Sequence, residues 1–352
     1  MLTVPKILGI HQVETVTFYQ LLDLGQCHLK GLSKAFILNG KLPELPPTRS
    51  QLIGKFHHRL MELAVKSASL AELDNSIEDE IRKLQAVVNA STVLKRQGSA
   101  SGWHEVNQSA TLARAAIVSR ASELNESITA SEVELRSRHG VLVGRPDRFN
   151  VRNGVAKLYE YKTSRVRTDA GEPFPDHIEQ VLFYSALIFD NYQVERITAR
   201  VESLNGDYYE SEVRPLDADA FVRRVSDLLE ALNKKISNQP SLDSFATPDP
   251  KTCLWCRNQI VCSAFKSSQR HFDLVGEQYL CEGVVTNVTK CSTDSARSVT
   301  VLDMNRQISV TFSIPVLFAD DLVIGMPYLF QCLRSHGEKL AWGSFSRVLS
   351  HE

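Results

Sequence analysis

The chain has 352 residues, which corresponds to about two domains of ordinary size and is long enough to bury a core without disulfides. Hydrophobic residues make up 43% and charged residues 23%, which is close to the globular average and argues against a disordered or fibrous chain. The 40 lysines and arginines nearly balance the 41 aspartates and glutamates, so a polycation is excluded, whereas a local basic patch is not. No window reaches about 18 uninterrupted apolar residues, and the first residues lack a signal-peptide pattern, so we expect a cytoplasmic protein without membrane segments.

Hydrophobic spacing predicts a mainly helical first third of the chain. One or two helices are expected over residues 12–38, and the proline-rich segment 42–47 interrupts them as a linker would. Residues 50–130 keep a helical period, with an apolar stripe that includes Leu52, Phe56 and Leu60. We expect most of this stretch to be helical.

The middle of the chain changes to strand-like alternation over residues 139–163. A helix is then predicted near residues 176–190, a hairpin around Asn205-Gly206, and a further helix near residues 217–236. Residues 238–252 have the composition of a loop.

Beyond residue 270 the pattern changes again, to five short strand candidates separated by turns: YLCEGVVTNVT, SVTVLDM, QISVTFSI, PYLFQCL and LAWGSFSRV. Such a series is typical of a small barrel or Greek-key domain. We therefore predict one domain over residues 1–270 and a second, all-β domain over residues 271–352.

The second predicted domain has two open interpretations. Its aromatic residues are suited to stacking on single-stranded nucleic acid, and they are Tyr279, Phe312, Tyr328, Phe330 and Trp342. Its net charge of −3 favours docking of a protein instead.

The segment 139–165 carries the most informative pattern. Asn153-Gly154 is the strongest short signal for a two-residue hairpin turn, which would pair Arg152 with Val155. That register puts Asp147 opposite Glu160 and Arg145 opposite Lys162, unless Pro146 bulges the strand.

Two facing carboxylates repel each other, and a divalent cation such as Mg²⁺ would resolve the repulsion. With Lys162 beside Glu160 to hold water or an anion, the hairpin has the minimum equipment for metal-assisted phosphodiester hydrolysis. Residues 131–168 also carry a net charge of +5, which suits a polyanion. The alternative is a solvated hairpin with incidental charges.

The seven cysteines are odd in number, so in a reducing compartment we expect free thiols or metal ligands rather than disulfides. Cys253, Cys256 and Cys262 form a C-x2-C-x5-C run, whose spacing suits zinc or an iron–sulfur cluster. A closed site needs a fourth ligand, and Cys27 is a candidate 226 residues earlier. The remaining cysteines are interpreted as bystanders.

Together these motifs resemble the PD-(D/E)xK nucleases. Pro146-Asp147 followed by Glu160-Tyr161-Lys162 resembles the family signature, and Gly144 precedes it as it often does there. Gly54-Lys-Phe-His-His58 resembles the Gly-x-x-x-His helix of the RecB-like branch, and Gln180-Val-Leu-Phe-Tyr184 resembles its Q-x-x-x-Y motif. The layout of one early cysteine and three late ones is similar to that of the iron–sulfur members of this branch. Those include AddB-type helicase–nuclease subunits, the eukaryotic helicase–nuclease of Okazaki processing, and the CRISPR adaptation exonucleases.

The resemblance implies an α/β, restriction-endonuclease-like core with a large helical insertion over about residues 50–130, an iron–sulfur staple, and an OB-like C-terminal domain. It implies that His58, Asp147 and Glu160 bind Mg²⁺ or Mn²⁺, that Lys162 positions the water, and that Gln180 and Tyr184 contact DNA or brace the site. Glu134 is an upstream acidic candidate, with Glu132 as its competitor. The four cysteines Cys27, Cys253, Cys256 and Cys262 would hold a [4Fe–4S] cluster, with zinc as the alternative. Basic residues of the patch would contact nucleic acid, namely Arg145, Arg148, Arg165 and Arg167.

The resulting hypothesis is a metal-dependent deoxyribonuclease that acts on single strands or ends in DNA repair, recombination or mobile-element defence. The chain has no G-x-x-x-x-G-K-[ST] sequence, so any helicase or ATPase motor would be a separate partner, docked through residues 271–352. The rival hypothesis is a non-catalytic DNA-binding or scaffold subunit, and RNA as substrate stays open.

Overall fold

The computed structural model describes residues 2–3, 5–39, 42, 47–90, 94, 98–120, 128–238, 241–253, 256–268, 276–336, 339–343 and 346–350. The chain divides into two compact units. The central unit comprises Glu14–Phe18 and Pro47–Leu232, and the terminal unit comprises Met1–Val13, Tyr19–Pro46 and Asn233–Glu352. The predicted domain boundary at residue 270 stays a prediction.

The central unit contains a mixed sheet of five strands in the order β10-β9-β8-β7-β4. Its strands are β4 (Ile128–Ala130), β7 (Arg148–Arg152), β8 (Val155–Lys162), β9 (Arg196–Ser203) and β10 (Tyr208–Val213). Strands β8 and β9 run parallel, which requires a crossover, and the helix α6 (Pro175–Asn191) supplies it. The predicted helix near 176–190 and the hairpin at Asn205-Gly206 are confirmed.

The predicted helical stretch is confirmed as three helices of the central unit: α3 (Arg49–Lys66), α4 (Leu70–Ala90) and α5 (His104–Arg120). Thr48 and Gln51 form a capping box that begins α3. Apolar faces of the three helices share one core with Tyr161 of β8, so they cover one face of the sheet. The last residues of the stretch, Ile128–Ala130, are a strand rather than a helix because they pair with β7. The predicted helix near 217–236 is confirmed as α7 (Pro215–Ser237).

The hairpin register predicted from Asn153-Gly154 is confirmed. Arg152 pairs with Val155, and the ladder continues to the pair Arg148 and Tyr159. Asn153 and Gly154 have φ angles of 51° and 74°, as a type I′ turn requires. The ladder ends there, so Asp147 lies one residue beyond its last pair, and neither the predicted pair of Asp147 with Glu160 nor that of Arg145 with Lys162 is part of it. The proline at 146 has no N–H to extend the ladder.

The terminal unit begins with β1 (Leu2–Thr3) and β2 (Ile7–Ile10), followed by the short helices α1 (Phe18–Gln26) and α2 (His28–Gly31). The helical prediction for 12–38 is wrong at its end, where β3 (Phe36–Leu38) pairs with β2 and so satisfies its backbone groups. The loop predicted at 238–252 holds a 3₁₀ turn at Leu242–Phe245, and the short helix α8 (Pro250–Cys253) begins within its last residues. The short helix α9 (Ser263–Ser268) follows. Two short strands of the central unit complete the described α/β part, β5 (Leu135–Arg136) and β6 (Val143–Gly144).

The C-terminal part of the terminal unit is an all-β sheet that is nearly closed into a barrel. Four of the five predicted strands are confirmed and the fifth is split in two, giving β11 (Gly276–Lys290), β12 (Ala296–Asp303), β13 (Ile308–Pro315), β14 (Pro327–His336), β15 (Lys339–Ala341) and β16 (Arg347–Ser350). A short helix, α10 (Val316–Ala319), lies between β13 and β14. Phe312, Tyr328 and Phe330 are buried in the core of the sheet, so they do not offer exposed stacking faces. Across the described ranges, no helix is both long and apolar enough to span a bilayer.

Candidate active site and cysteine cluster

Asp147 is held at the end of the β7–β8 ladder by three contacts. Its Oδ2 atom accepts a 2.7 Å hydrogen bond from the backbone N–H of Tyr161, and its backbone carbonyl accepts one from the Ser131 hydroxyl. Its Oδ1 atom lies 2.7 Å from Nδ1 of His58. The carboxylate is only 7% exposed, so its position is fixed by these partners.

The adjacent histidines of α3 have different environments. His57 is buried and packs edge-to-face against the Tyr161 ring, and burial followed by the charge of His58 lowers its pKa to about 4. His58 faces Asp147 instead. Burial alone would lower the pKa of His58, but hydrogen bonds to Asp147 and Glu132 outweigh it and raise the pKa to about 10. The structure therefore brings His58, not His57, to the carboxylates.

Glu132 lies beside His58 and Asp147 and forms a cluster with them, whereas Glu134 does not. The Oε1 atom of Glu132 lies 3.9 Å from Nδ1 of His58, whereas Glu134 pairs with Arg136 and Arg145. Glu132 has a φ of 55°, in the left-handed region that non-glycine residues rarely adopt, and its N–H donates to the carbonyl of Pro146. Ligand atoms of His58, Glu132 and Asp147 lie within 4.8 Å of one another, as a metal site requires.

Glu160 is the most buried acid of the site. It is 1% exposed, and neither carboxylate oxygen has a hydrogen-bond partner among the described residues. Burial, and then the charge of Asp147, raises its pKa well above the usual range, against the opposing charge of Lys162. A buried carboxylate that accepts no hydrogen bond is costly, and the nearby Lys162 ammonium offsets that cost only in part, so the residues present fit a divalent ion.

Lys162 is positioned from two sides. Its Nζ atom lies 3.8 Å from Oε2 of Glu160 and donates a hydrogen bond to Oε1 of Gln180 on α6. Gln180 is buried and therefore braces the lysine rather than facing solvent. Tyr184, one turn further along α6, is buried beside Phe183 and tilts against Phe18.

The four arginines proposed for nucleic acid have unequal access. Arg145 is bound to Glu134 at 3.0 Å, Arg165 to Asp169 at 2.6 Å, and Arg167 to the carbonyls of Gly171 and Tyr208. Arg148 is different, since it is 6% exposed and its guanidinium stacks on the Tyr159 ring at 5.0 Å. Burial therefore removes Arg148 from the surface that a phosphate backbone would contact.

In the terminal unit, the chain fold brings the four predicted cysteine ligands to one cavity. Cys27, Cys253, Cys256 and Cys262 are buried and line one small cavity together with Leu29, Pro248 and Phe265. The Cys27 sulfur accepts from the N–H of Thr247, and the Cys262 sulfur accepts from that of Phe265. Burial raises the pKa of Cys256 to about 12 and that of Cys262 to about 11.

A sequence model of the PD-(D/E)XK nuclease superfamily matches residues 29–263, which is more than half of the chain. The chain belongs to this superfamily. Its members are typically metal-dependent nucleases, and the acidic cluster at Asp147 and the E-x-K pair of Glu160 and Lys162 lie within the matched range. No curated protein sequence matches the chain.

The local sequence does not distinguish Glu132 from Glu134, because both lie in one short acidic segment before β5. The hydrogen bond from the N–H of Glu132 to the carbonyl of Pro146 decides between them, and no local pattern encodes that contact.

Proposed function

We propose that the protein is a divalent-metal-dependent deoxyribonuclease of the RecB-like branch, which hydrolyses phosphodiester bonds on single-stranded DNA or DNA ends. The observation that carries the proposal is the buried Glu160, whose carboxylate oxygens have no hydrogen-bond partner among the described residues, next to the cluster of His58, Glu132 and Asp147. DNA repair, recombination and mobile-element defence are the processes in which such an activity is used.

The chemistry follows from the positions of these side chains. His58, Glu132, Asp147 and Glu160 would hold Mg²⁺ or Mn²⁺, which, when bound, polarises the phosphodiester and favours deprotonation of water. The Lys162 ammonium, held by Gln180, positions the water and balances the charge of the phosphate. Arg145 and Arg165 are exposed and Arg167 is half-buried, and these three are proposed to contact the DNA backbone, while Tyr184 braces α6.

We also propose a [4Fe–4S] cluster, with a structural role, on Cys27, Cys253, Cys256 and Cys262. Tetrahedral zinc, with Zn–S bonds of about 2.3 Å, would bring its sulfurs to within about 4 Å of one another. A [4Fe–4S] cluster would bind the same four thiolates, one on each iron. The four cysteines are buried and line one cavity, which supports a shared inorganic centre, with zinc as the alternative.

The strand series of residues 271–352 supports an OB-like domain that docks a protein partner, such as a separate helicase or ATPase. Its aromatic side chains Phe312, Tyr328 and Phe330 lie in its core, which removes the main argument for stacking on single strands. Its net charge of −3 disfavours a polyanion.

The test uses end-labelled DNA, single- and double-stranded, linear and circular, with Mg²⁺, Mn²⁺ or EDTA. The parent protein should cut only with metal, and Asp147→Asn and Lys162→Ala should abolish cutting while retaining the fold. Glu134→Gln is the matched control, because it changes a nearby acid outside the cluster and should cut normally. Equal rates for the parent, Asp147→Asn and Lys162→Ala would refute the assignment.

The rival hypotheses have distinct outcomes in the same assay. A parent protein that binds labelled DNA but never cuts it with either metal would favour a non-catalytic subunit. If the parent cuts RNA of the same sequence faster than the DNA, RNA is the preferred substrate. Iron and sulfide analysis after anaerobic purification tests for the proposed [4Fe–4S] cluster. A protein that contains zinc but no iron or sulfide would refute it.

A further inference from the structure

A groove in the central unit continues from the end of the catalytic strand. It has a volume of about 600 Å³ and is open to solvent, and this volume lies within the range for small-molecule sites. Its lining comes from the segment after β8, the start of α6 and the β9–β10 turn, and consists of Ser164, Arg165, Phe174, Pro175, Asp176, His177 and Asn205.

Three connections place this groove beside Lys162. Ser164 and Arg165 lie two and three residues after Lys162 in the chain. The backbone N–H of Leu204, next to Asn205, donates to the carbonyl of Lys162 at 2.9 Å. His177 lies one helical turn before Gln180, the residue that binds the lysine.

The chemistry of the lining is that of a site for a planar, polar ring. Phe174 and His177 form an edge-to-face pair with centroids 5.4 Å apart and are half-buried, so they form a floor, while Asp176 and Asn205 are exposed at the rim. Burial, and then the charge of Lys162, lowers the pKa of His177, so its ring is neutral at physiological pH. Its Nδ1 atom is buried and has no hydrogen-bond partner among the described residues.

The charge of the groove argues for a base rather than a phosphate. Arg165 is the only lysine or arginine among the lining residues, and it pairs with Asp169, while Asp176 adds a negative charge. The one cation can serve the backbone phosphate that we propose for it, which leaves the rest of the groove for the base. Aromatic faces stack on unpaired bases, and a carboxylate accepts hydrogen bonds from the exocyclic amines of cytosine, adenine and guanine, which thymine lacks.

We propose that this groove holds the unpaired base of a nucleotide adjoining the scissile phosphate, with Phe174 and His177 as stacking partners and Asp176 as a reader of exocyclic amines. The inference rests on the proposed nuclease function and adds a structural reason for single-strand preference. A base that is paired in a duplex cannot enter the groove without leaving its stack.

The test measures kcat and KM of the full chain on single-stranded oligonucleotides that carry one ordinary phosphodiester among phosphorothioates. The nucleotide on one side of that linkage, then on the other, is cytosine, thymine or abasic. When one of the two nucleotides is abasic, the kcat/KM of the parent should fall by about 5- to 100-fold. Replacing cytosine by thymine at that same position should lower kcat/KM by a similar factor. Phe174→Ala should remove the abasic penalty, and Asp176→Asn should remove the preference for cytosine.

Ile178→Ala is the matched control, because Ile178 is an exposed residue of α6 that does not line the groove. It should retain both effects. Asp176→Asn changes an exposed side chain, so it is the variant that stays informative if Phe174→Ala does not fold. Two results would refute the base-binding groove but not the nuclease function. The parent could cut without any base preference, or every variant could keep the preference of the parent. Absence of cutting on every substrate overturns both this inference and the nuclease assignment.

Discussion

Replacing Glu160 by glutamine should stabilise the metal-free protein at neutral pH while abolishing cleavage. Glu160 is fully buried and its carboxylate has no hydrogen-bond partner among the described residues, so the folded state favours the protonated form. Glutamine has the same shape as the protonated acid and carries no charge at any pH. The substitution therefore removes a proton linkage without opening a cavity.

The magnitude follows from that linkage. The pKa of Glu160 in the folded state is raised, so its stabilising contribution is complete below the unfolded pKa and is lost as the pH rises toward the folded pKa. Over the pH interval in which only the folded state keeps the proton, the free energy of unfolding of the parent falls by about 1.4 kcal/mol per pH unit. From pH 5 to pH 7 the advantage of Glu160→Gln should therefore grow by up to about 2.7 kcal/mol.

Urea unfolding in EDTA at pH 5, 6, 7 and 8 measures this advantage directly. Mn²⁺ should then reverse the order, because the parent gains binding energy that the variant has lost. Glu134→Gln is the control, since Glu134 is exposed and ion-paired, and its difference from the parent should not grow with pH. A gap between Glu160→Gln and the parent that is constant or shrinks as the pH rises would refute the reasoning.

Three further substitutions test other contacts. His58→Gln should flatten the pH dependence of Mn²⁺ affinity, measured by calorimetry. In the parent, the proton that His58 holds with a pKa of about 10 must leave before the ion binds, so the affinity should rise by up to about tenfold per pH unit. A variant with the same slope as the parent would contradict this. Gly144→Ala should cost about 1–3 kcal/mol in urea unfolding, since the added Cβ would lie 2.9 Å from ring atoms of Phe183 and Tyr184, and a neutral effect would count against that packing. Cys262→Ser should lose iron in the anaerobic metal analysis while Cys291→Ser retains it, and iron retained by both would exclude Cys262 as a ligand.

The parts of the site that the sequence predicts are those set by short-range geometry. The turn at Asn153-Gly154 needs two positive φ angles, and this requirement alone fixes the register from Arg152 to Tyr159. The helix spacing of Gln180 and Tyr184 likewise puts both on the buried side of α6.

The parts that it does not predict depend on contacts between distant segments. His57 and His58 are adjacent on α3, and only the packing of Tyr161 against one and the approach of Asp147 to the other separates their roles. Arg148 belongs to a basic segment in the sequence, but its strand alternation turns it toward the Tyr159 ring. The strand Phe36–Leu38 forms only because Ile7–Ile10 lies beside it.

The acidic cluster and the cysteine cavity share one physical property, although they lie in different units. In each, burial raises the pKa of acidic groups that we propose as metal ligands, namely the carboxyl of Glu160 and the thiols of Cys256 and Cys262. Without a cation, the folded protein keeps these protons, and the groups are neutral and poor ligands. Binding of a cation must therefore release these protons. Coordination of the cation then stabilises the buried charged groups that would otherwise be costly to desolvate. Both sites are accordingly expected to bind their metals more tightly as the pH rises, and to lend the fold more stability when loaded than the same residues do when empty.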